Sequence, residues 1–326
     1  MRLELIALFL TLLALPKPAW SQEQPLQDTR LPAPALGSIQ TLPISPERRA
    51  SLQQALQAKD YPRAETLLLR EIETNPKSAE LLTILGGVLF LDGQHLNSAI
   101  AMKKAEALAP LDDHNRFTLA MAYVVLKKGD WAKSELEKLQ ERQPRNPLYL
   151  YWLARLDYDA QQFKKGITKL EEVLRLDPKF TKAYDNLALC YEGLGQHDEA
   201  LRTYQRAIDL NRASQKPSPW PALNLGSLLS RIGKLEDAER ALRESINCDS
   251  TLSQAHYQLG VVLEKMERIP EAIKELSQAA AFNRTYAEPH YALGRIYRRT
   301  GEMSKAEEAL RIFQRLKKEK RPDPAK

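Results

Sequence analysis

One stretch of this 326-residue chain decides its fold: residues 186–200, which read NLALCYEGLGQHDEA. Leu187, Ala188 and Tyr191 continue a spacing of i+3, i+4 and i+7 that begins at residue 184, so the four side chains share one face of a helix. Gly195 then interrupts the helical pattern, and Ala200 lies on the matching face of a second helix. The stretch therefore predicts two antiparallel helices joined by a short turn.

The same pattern recurs along the chain at a spacing of 34 residues, with one spacing of 38. Frame position 7 is leucine in seven of eight frames, position 8 is glycine or alanine in the same seven, position 20 is small in all eight, and position 24 is large and apolar in all eight. Small residues let two helix backbones approach, and the large residues fill the space beside them. We therefore predict eight hairpins, at residues 45–78, 79–112, 113–146, 147–180, 181–214, 219–252, 253–286 and 287–320.

These residues closely resemble a known repeat. The stretch 186–200, the segment 257–260, and the segment 292–297 followed by Gly301 and Ala306 resemble the tetratricopeptide repeat signature. The resemblance covers residues 45–320 and implies an all-α fold, a right-handed α-solenoid (superhelix) of about eight antiparallel helix-turn-helix repeats. It also implies that the first helices of the repeats line a concave groove.

Three repeats depart from the pattern. The first carries Ser51 and Leu52 at positions 7 and 8, so we expect it to be a capping repeat. In the third, Gly129 lies two residues late for the turn between the helices, which leaves the register of that turn open. In the fourth, Asp157 occupies position 11, where an apolar residue is expected.

The N-terminal residues have the pattern of a targeting segment. Arg2 precedes an apolar run at residues 5–15, and Ala19 and Ser21 form an A-x-S cleavage site before Gln22. Eleven residues are too few to span a bilayer, where about twenty are needed. We therefore expect residues 1–21 to be a signal peptide and the chain to be exported, periplasmic or secreted. An uncleaved N-terminal membrane anchor is the alternative.

Four prolines among residues 22–44 predict an extended linker, because proline blocks the helix. Residues 321–326 form a basic tail, and no transmembrane segment is expected after the signal.

The formal charge of +6 and the pI of about 9.1 permit an acidic partner but do not require one, and nucleic acid is not the expected partner. The two cysteines, Cys190 and Cys248, are expected to be buried thiols, with a single disulfide formed after export as the alternative.

The sequence contains no phosphate-binding glycine loop, paired-cysteine metal motif, His-Glu-x-x-His helix or nucleophile elbow. We therefore expect no enzyme activity, no cofactor, and no catalytic or metal-binding residues. His95 and His197 occupy position 17, and His256 and His290 occupy position 4. The repeat packs aromatic residues at both positions, so these four are expected to be structural. His114 falls on a groove position and is expected to be a contact residue.

The groove is where we expect function, because packing leaves positions 2, 5, 9, 12 and 13 of each first helix free. Aromatic residues and arginines, the types enriched in binding hot spots, occupy many of these positions. The resemblance implies that asparagines at position 6 hydrogen-bond the backbone of an extended peptide. The expected contact residues are Phe90, Phe117, Met121, Tyr151, Arg155, Tyr158, Asn186, Asn224, Tyr257, Tyr291, Arg295, Arg298 and Arg299.

The leading hypothesis is an exported, non-catalytic scaffold whose groove binds a protein or peptide partner. A hypothesis of a different class is recognition of an anionic polymer, such as an envelope polysaccharide, a lipid headgroup or a nucleic acid, through the basic C-terminal repeats. Homo-oligomerisation through Ile312, Phe313 and Leu316 on the last helix stays a third alternative.

Overall fold

A computed structural model of the chain describes residues 39–319. Sixteen α-helices lie wholly within these residues, which contain no β-strand. Contacts divide this part of the chain into two compact units, with the boundary between Thr203 and Tyr204. None of the described helices is long and apolar enough to cross a membrane. The predicted signal peptide, most of the predicted linker and the basic tail lie outside the described residues.

The unit that ends at Thr203 contains four complete hairpins and the start of a fifth. Its helices are α1 (Pro46–Gln57), α2 (Tyr61–Thr74), α3 (Ala79–Leu91), α4 (His95–Glu106), α5 (Asp113–Val125), α6 (Gly129–Arg142), α7 (Pro147–Asp159), α8 (Phe163–Leu176), α9 (Thr181–Gly193) and the first part of α10 (His197–Arg212). The unit that begins at Tyr204 contains the rest of α10 and three hairpins, formed by α11 (Trp220–Arg231), α12 (Leu235–Cys248), α13 (Ser253–Lys265), α14 (Ile269–Phe282), α15 (Ala287–Arg299) and α16 (Met303–Glu319).

The predicted all-α class of stacked helix hairpins is confirmed. Each first helix begins at frame position 1 or 2, and each second helix begins at position 17. Within the unit of residues 39–203, each complete hairpin packs its two helices together, and its second helix packs on the first helix of the next repeat. The last three hairpins, within the other unit, show the same alternation.

The turn inside each hairpin is built on one residue with a positive φ. All eight positive-φ residues of the described chain occupy frame position 15, and four of them are glycines. The other four are Lys59, Lys127, Gln161 and Glu267, with φ between 56° and 58°. In the third repeat Lys127 is this turn residue, and Gly129 begins α6. The register of that turn, which the sequence left open, is therefore the same as in the other repeats.

Within a hairpin, the large side chain at position 24 packs on the small residue at position 8. A Cβ added to Gly260 would lie 2.6 Å from Cγ of Leu276. In the second repeat, the Oγ of Ser98 at position 20 donates a hydrogen bond of 2.7 Å to the carbonyl oxygen of Gly86 at position 8. The small residues at both positions therefore set how closely the two helices approach.

Asp157 shows how the fold accommodates a charge at an apolar position. Its side chain is 2% exposed, at position 11 of the fourth repeat. The carboxylate accepts a hydrogen bond of 2.5 Å from Nζ of Lys169 and lies 3.6 Å from Nζ of Lys133. An unpaired buried charge is costly, so the two lysines make this departure from the repeat pattern tolerable.

Residues 39–44, predicted to be the end of an extended linker, instead pack on the first repeat. Ile39 and Leu42 are 1% and 2% exposed and belong to the hydrophobic cluster of α1–α4. Nη2 of Arg49 donates hydrogen bonds of 3.0 Å and 3.2 Å to the carbonyl oxygens of residues 42 and 44. The linker prediction is therefore wrong for these residues, because burial of the apolar side chains favours a docked segment over a solvated one.

His256, at position 4 of the seventh repeat, has the structural role that the sequence predicts. It is 4% exposed, its Nδ1 lies 2.7 Å from Oε2 of Glu275, and its Nε2 lies 3.0 Å from the carbonyl oxygen of Ser250. Burial disfavours the charged ring, but the hydrogen bonds to Glu275 and Ser250 outweigh burial and raise the pKa of His256 above its ordinary value.

We predict that Gln161→Gly stabilises the chain by about 0.5–1 kcal/mol. A positive φ costs a residue with a Cβ about 1–2 kcal/mol, and the greater freedom of glycine in the unfolded chain offsets part of the gain. The shift of the urea midpoint, followed by circular dichroism, measures the effect. Gln162→Gly is the matched control, because Gln162 has a φ of −87° and has no such strain to lose. Equal midpoints for the two variants would contradict the prediction.

We also predict a pH-dependent contribution of His256 to stability. Because its pKa is raised in the folded state, the contribution is complete below the unfolded pKa of about 6.5 and is lost as the pH rises through the folded value. The difference in urea midpoint between the native protein and His256→Gln should therefore shrink from pH 6 to pH 9. The other titrating groups are the same in both proteins, so their contributions largely cancel in the difference between the two midpoints. A difference that stays constant over this range argues against the stabilising contact between His256 and Glu275.

Candidate functional site

Four of the aromatic and apolar residues predicted to contact a partner are buried in the unit of residues 39–203. Phe90, Phe117, Met121 and Tyr151 are 6%, 3%, 0% and 2% exposed. The ring of Phe117 packs 5.6 Å from that of Tyr149, which belongs to the next repeat. The prediction that these four side chains face a partner is therefore wrong. They are core residues: the rings of Phe90 and Tyr151 pack on side chains of their own repeats, and that of Phe117 packs on the next repeat.

The two position-6 asparagines are also buried. Asn186 is 4% exposed, and its Nδ2 donates hydrogen bonds of 3.1 Å to the hydroxyl of Tyr151 and 2.8 Å to the carbonyl oxygen of Lys182. Asn224 is 3% exposed and has polar contacts of its own. The predicted role of Asn186 and Asn224 in gripping a peptide backbone is contradicted, because their side chains are enclosed by the protein.

Arg155 and Tyr158, on α7, are half-buried. The guanidinium carbon of Arg155 lies 4.9 Å from the ring centre of Trp152, a distance typical of cation–π contacts. The ring of Tyr158 meets that of Phe163 edge-on at 5.4 Å. Both residues keep part of their surface accessible, but each is held by a packing contact within its own repeat.

The predicted residues that remain accessible together lie in the unit of residues 204–319. Tyr257, on α13, and Tyr291, Arg295, Arg298 and Arg299, on α15, form what we call the Tyr–Arg face. Tyr257 is half-buried, and the other four are exposed. Tyr291, Arg295 and Arg298 follow one another at i, i+4 and i+7, which places them on one side of α15.

Aromatic contacts position both tyrosines of the Tyr–Arg face. The ring of Tyr257 meets that of Tyr286 edge-on at 5.3 Å, and the ring of Tyr291 lies 5.1 Å from that of Phe313 on α16. Tyr291 still keeps 49% of its surface exposed. Burial raises the pKa of Tyr257, whereas the nearby guanidinium of Arg295 acts in the opposite sense. Tyr257 therefore stays protonated at neutral pH and can donate a hydrogen bond.

Carboxylates of the preceding repeat orient two of the three arginines. Nε and Nη2 of Arg295 donate hydrogen bonds of 3.2 Å and 2.5 Å to the two carboxylate oxygens of Glu264, whose side chain is 9% exposed. Nη1 of Arg299 lies 3.4 Å from Oε1 of Glu267. Arg298 makes no ion pair with any residue of the described chain. The face therefore presents one arginine held rigidly, one held loosely and one without a carboxylate partner.

The sequence did not reveal these pairings. A bidentate arginine–carboxylate contact has a fixed geometry, and here it joins residues in adjacent repeats. A signal was nevertheless present: Glu264 and Arg295 occupy frame positions 12 and 9 of consecutive first helices. A second hydrogen bond also joins the first helices of adjacent repeats: Nζ of Lys265 donates a hydrogen bond of 2.9 Å to the carbonyl oxygen of Ser230.

The remaining histidines have mixed environments. His95 packs against Phe90 with 4.9 Å between ring centres, and burial lowers the pKa of His95. Burial also lowers the pKa of His114 and of His290, both half-buried. His197 is exposed, so the packing role predicted for it is wrong. None of the eight residues at position 17 is buried, so this position lies at the margin of the hairpin packing rather than in its core.

Both cysteines are free thiols. Cys190 is buried, and burial raises the pKa of its thiol to about 12. Cys248 is only half-buried, which differs from the expectation of two buried thiols. Residues 39–319 contain no group of three or more His, Cys, Asp or Glu residues placed to hold a metal ion.

Comparison with known proteins identifies the repeat. Models of the tetratricopeptide repeat match residues 52–113, 179–250 and 257–320, which together make up more than half of the chain. The chain is 36% identical over 100 residues to the probable UDP-N-acetylglucosamine–peptide N-acetylglucosaminyltransferase SEC of Arabidopsis thaliana, and 28% identical over 96 residues to the TPR repeat-containing protein YpiA of Bacillus subtilis. These matches span 10% and 22% of the two relatives, and 30% and 29% of this chain.

Solved structures of other repeat proteins share the fold. A tetratricopeptide repeat protein from Parabacteroides merdae matches 85% of this chain and 99% of its own with a TM-score of 0.64 and 16% identity. Yeast Tom70 matches 83% of this chain and 60% of its own with a TM-score of 0.64 and 15% identity. At this level of identity the likeness concerns the fold alone. The regular hairpins and the matched repeat models agree, and the chain belongs to the tetratricopeptide repeat family.

Proposed function

We propose that this chain is an exported, non-catalytic scaffold that binds a segment of another protein through the Tyr–Arg face. The observation that carries the proposal is the accessibility of Tyr291, Arg295 and Arg298 on one side of α15. Tyrosine and arginine are the residue types that dominate binding hot spots, and both offer large contact areas. The signal-like pattern of residues 1–21 supports export.

The face is preorganised for a partner. Glu264 holds Arg295, and Phe313 supports the ring of Tyr291, so both side chains have lost part of their rotamer freedom before binding. Side-chain ordering costs about 0.5–1.5 kcal/mol per immobilised residue, and preorganisation reduces that cost. The three arginines favour a partner segment that carries carboxylates, and the tyrosine rings favour apolar or aromatic side chains beside them.

An anionic polymer is the weaker candidate. Such a ligand needs a continuous basic track, and the carboxylates of Glu264 and Glu267 interrupt the track by pairing with Arg295 and Arg299. The transferase activity in the name of the Arabidopsis relative is not proposed for this chain, because the match spans 10% of that protein.

We predict that Tyr291→Ala combined with Arg298→Ala lowers partner capture at least about tenfold, because two hot-spot side chains are each expected to contribute more than 1 kcal/mol. The measurement is affinity capture from an extract of the source organism, quantified by mass spectrometry. Arg295 is left intact, because its removal would strand the carboxylate of Glu264.

The matched control is Phe282→Ala combined with Arg240→Ala, which removes an exposed aromatic ring and an exposed arginine elsewhere in the same unit. Capture should be unchanged in the control. Equal capture by the native protein and the Tyr291/Arg298 variant, with matching circular dichroism, counts against the Tyr–Arg face. A steep loss of binding with added salt, together with competition by heparin, would instead support the polymer hypothesis.

A further inference from the structure

The second helix of the eighth repeat keeps accessible two positions that are buried in every earlier repeat. In the first seven repeats, position 24 is 0% exposed and position 27 is buried. In the eighth repeat these positions carry Leu310 and Phe313, and both side chains are only half-buried. No repeat follows α16 within the described residues. Full burial at positions 24 and 27 therefore depends on the helix that packs on the second helix from the next repeat.

Position 17 of the second helix also reaches the next repeat. A Cβ added to Gly193, at position 13 of the fifth repeat, would lie 2.6 Å from the ring of Phe163, at position 17 of the fourth. In the eighth repeat, position 17 carries Met303, which is 53% exposed. Other apolar side chains at this position are half-buried, namely Tyr61, Phe163, Leu235 and Ile269. Met303 therefore extends the accessible apolar surface of α16 by two turns beyond Leu310.

Two residues of α15 face the same way as this surface. Positions 5 and 12 of a first helix contact the next repeat, as the side chains of Phe117 and Glu264 do. In the eighth repeat these positions carry Tyr291 and Arg298, and both are exposed. Arg298 is the only exposed residue among the eight at position 12. We call the surface formed by these two residues and those of α16 the terminal face; it consists of Tyr291, Arg298, Met303, Leu310 and Phe313.

The apolar part of the terminal face is continuous. The ring centre of Tyr291 lies 5.1 Å from that of Phe313, so the side chains of α15 and α16 meet. Met303, Leu310 and Phe313 are spaced i, i+7 and i+10, which places them along one stripe of α16. A stripe of this kind along a helix is the surface on which another helix packs.

Arg298 defines where an occupant of the terminal face should carry a carboxylate. In the junction before it, Glu264 reaches from position 12 to Arg295, at position 9 of the next first helix. Arg298 occupies position 12 with the opposite charge, and it makes no ion pair with another described residue. A helix that takes the place of a following first helix should therefore carry an acid at position 9.

Glu307 defines a second polar contact on the same face. At the equivalent position 21, Nζ of Lys133 lies 3.6 Å from the carboxylate of Asp157, at position 11 of the next repeat. Glu307 is exposed and makes no ion pair with another described residue. The occupant should therefore offer a cation or a hydroxyl at position 11. The face is not uniformly basic, so its charges select an occupant by their positions rather than by net charge.

We propose that the terminal face binds an amphipathic α-helix of a partner protein, which packs on α15 and α16 as a first helix packs on the repeat before it. The proposal rests on the proposed function, because Tyr291 and Arg298 belong to the Tyr–Arg face. It adds that the bound segment is helical, with an apolar stripe and an acid opposite Arg298. A second copy of the chain fits less well, because α1 carries Gln53 at position 9 and offers Arg298 no carboxylate.

A synthetic helix tests the proposal on the full chain. The probe is a peptide of residues 287–299 with the substitution Arg295→Glu, which is a first helix with an acid at position 9 and the hydroxyl of Tyr297 at position 11. The control peptide keeps Arg295. Fluorescence anisotropy should show that the probe binds about fivefold more tightly than the control, because an ion pair with Arg298 replaces a like-charge contact. Circular dichroism should show helix gained on mixing, since so short a peptide is largely unfolded when free.

Substitutions in the protein locate the peptide on the terminal face. Arg298→Glu should invert the preference, so that the control peptide binds more tightly than the probe. Met303→Asp should weaken binding of the probe about tenfold, because the bound helix would cover an unpaired carboxylate. Leu96→Asp is the matched control, since Leu96 is 59% exposed in the other unit, and it should leave the affinity unchanged.

The proposal is overturned if the probe does not bind, binds without gaining helix, or is still preferred by Arg298→Glu. A dimer in light scattering that Met303→Asp abolishes would assign the face to a second copy of the chain and overturn it. Binding of the probe only after deletion of residues 321–326 would assign the face to this chain's own C-terminus, with the same consequence.

Affinity capture from the source organism separates this proposal from the proposed function. Met303→Asp should lower capture as Tyr291→Ala combined with Arg298→Ala does. If the double variant loses capture and Met303→Asp does not, the Tyr–Arg face stands and only the helical partner is overturned. If neither variant loses capture, the proposed function and this inference are both wrong.

Discussion

Two helices can bring their backbones close together only where one of them offers a small residue to a large side chain of the other. Every hairpin of this chain after the first uses a glycine or alanine at position 8 for that contact, as Gly260 does beneath Leu276. The turn at position 15 then reverses the chain with one left-handed residue, even where that residue is Lys127 or Gln161. Because these few positions carry the packing, the others are free to vary between repeats.

That freedom explains the polar side chains inside the fold. Asp157 is tolerated at an apolar position because Lys169 and Lys133 reach its carboxylate, and His256 is tolerated in the core because Glu275 and a backbone carbonyl bind both ring nitrogens. Burying a charge without such partners costs several kcal/mol. Each substitution of this kind is therefore coupled to a residue elsewhere in the repeat, and the coupling is invisible to a search for apolar periodicity.

The same freedom determines which side chains stay accessible at the surface. In the unit of residues 204–319, first-helix positions carry the Tyr–Arg face, where Glu264 orients Arg295 without burying it. In the unit of residues 39–203, most of the aromatic side chains at the equivalent positions are buried, and exposed aliphatic side chains lie on the second helices, at Leu69, Leu96 and Ile100.

The sequence alone predicted the number and order of the repeat helices, and their register in every repeat except the third, because the spacing of small and large residues is a property of each hairpin by itself. It also indicated residues that are free of packing within a hairpin. Whether such a residue stays accessible was decided only by the tertiary structure. Phe117 illustrates the reason: its ring is covered by Tyr149, which lies in the next repeat. Tyr291 has the same frame position and remains exposed, because no repeat follows its hairpin within the described residues.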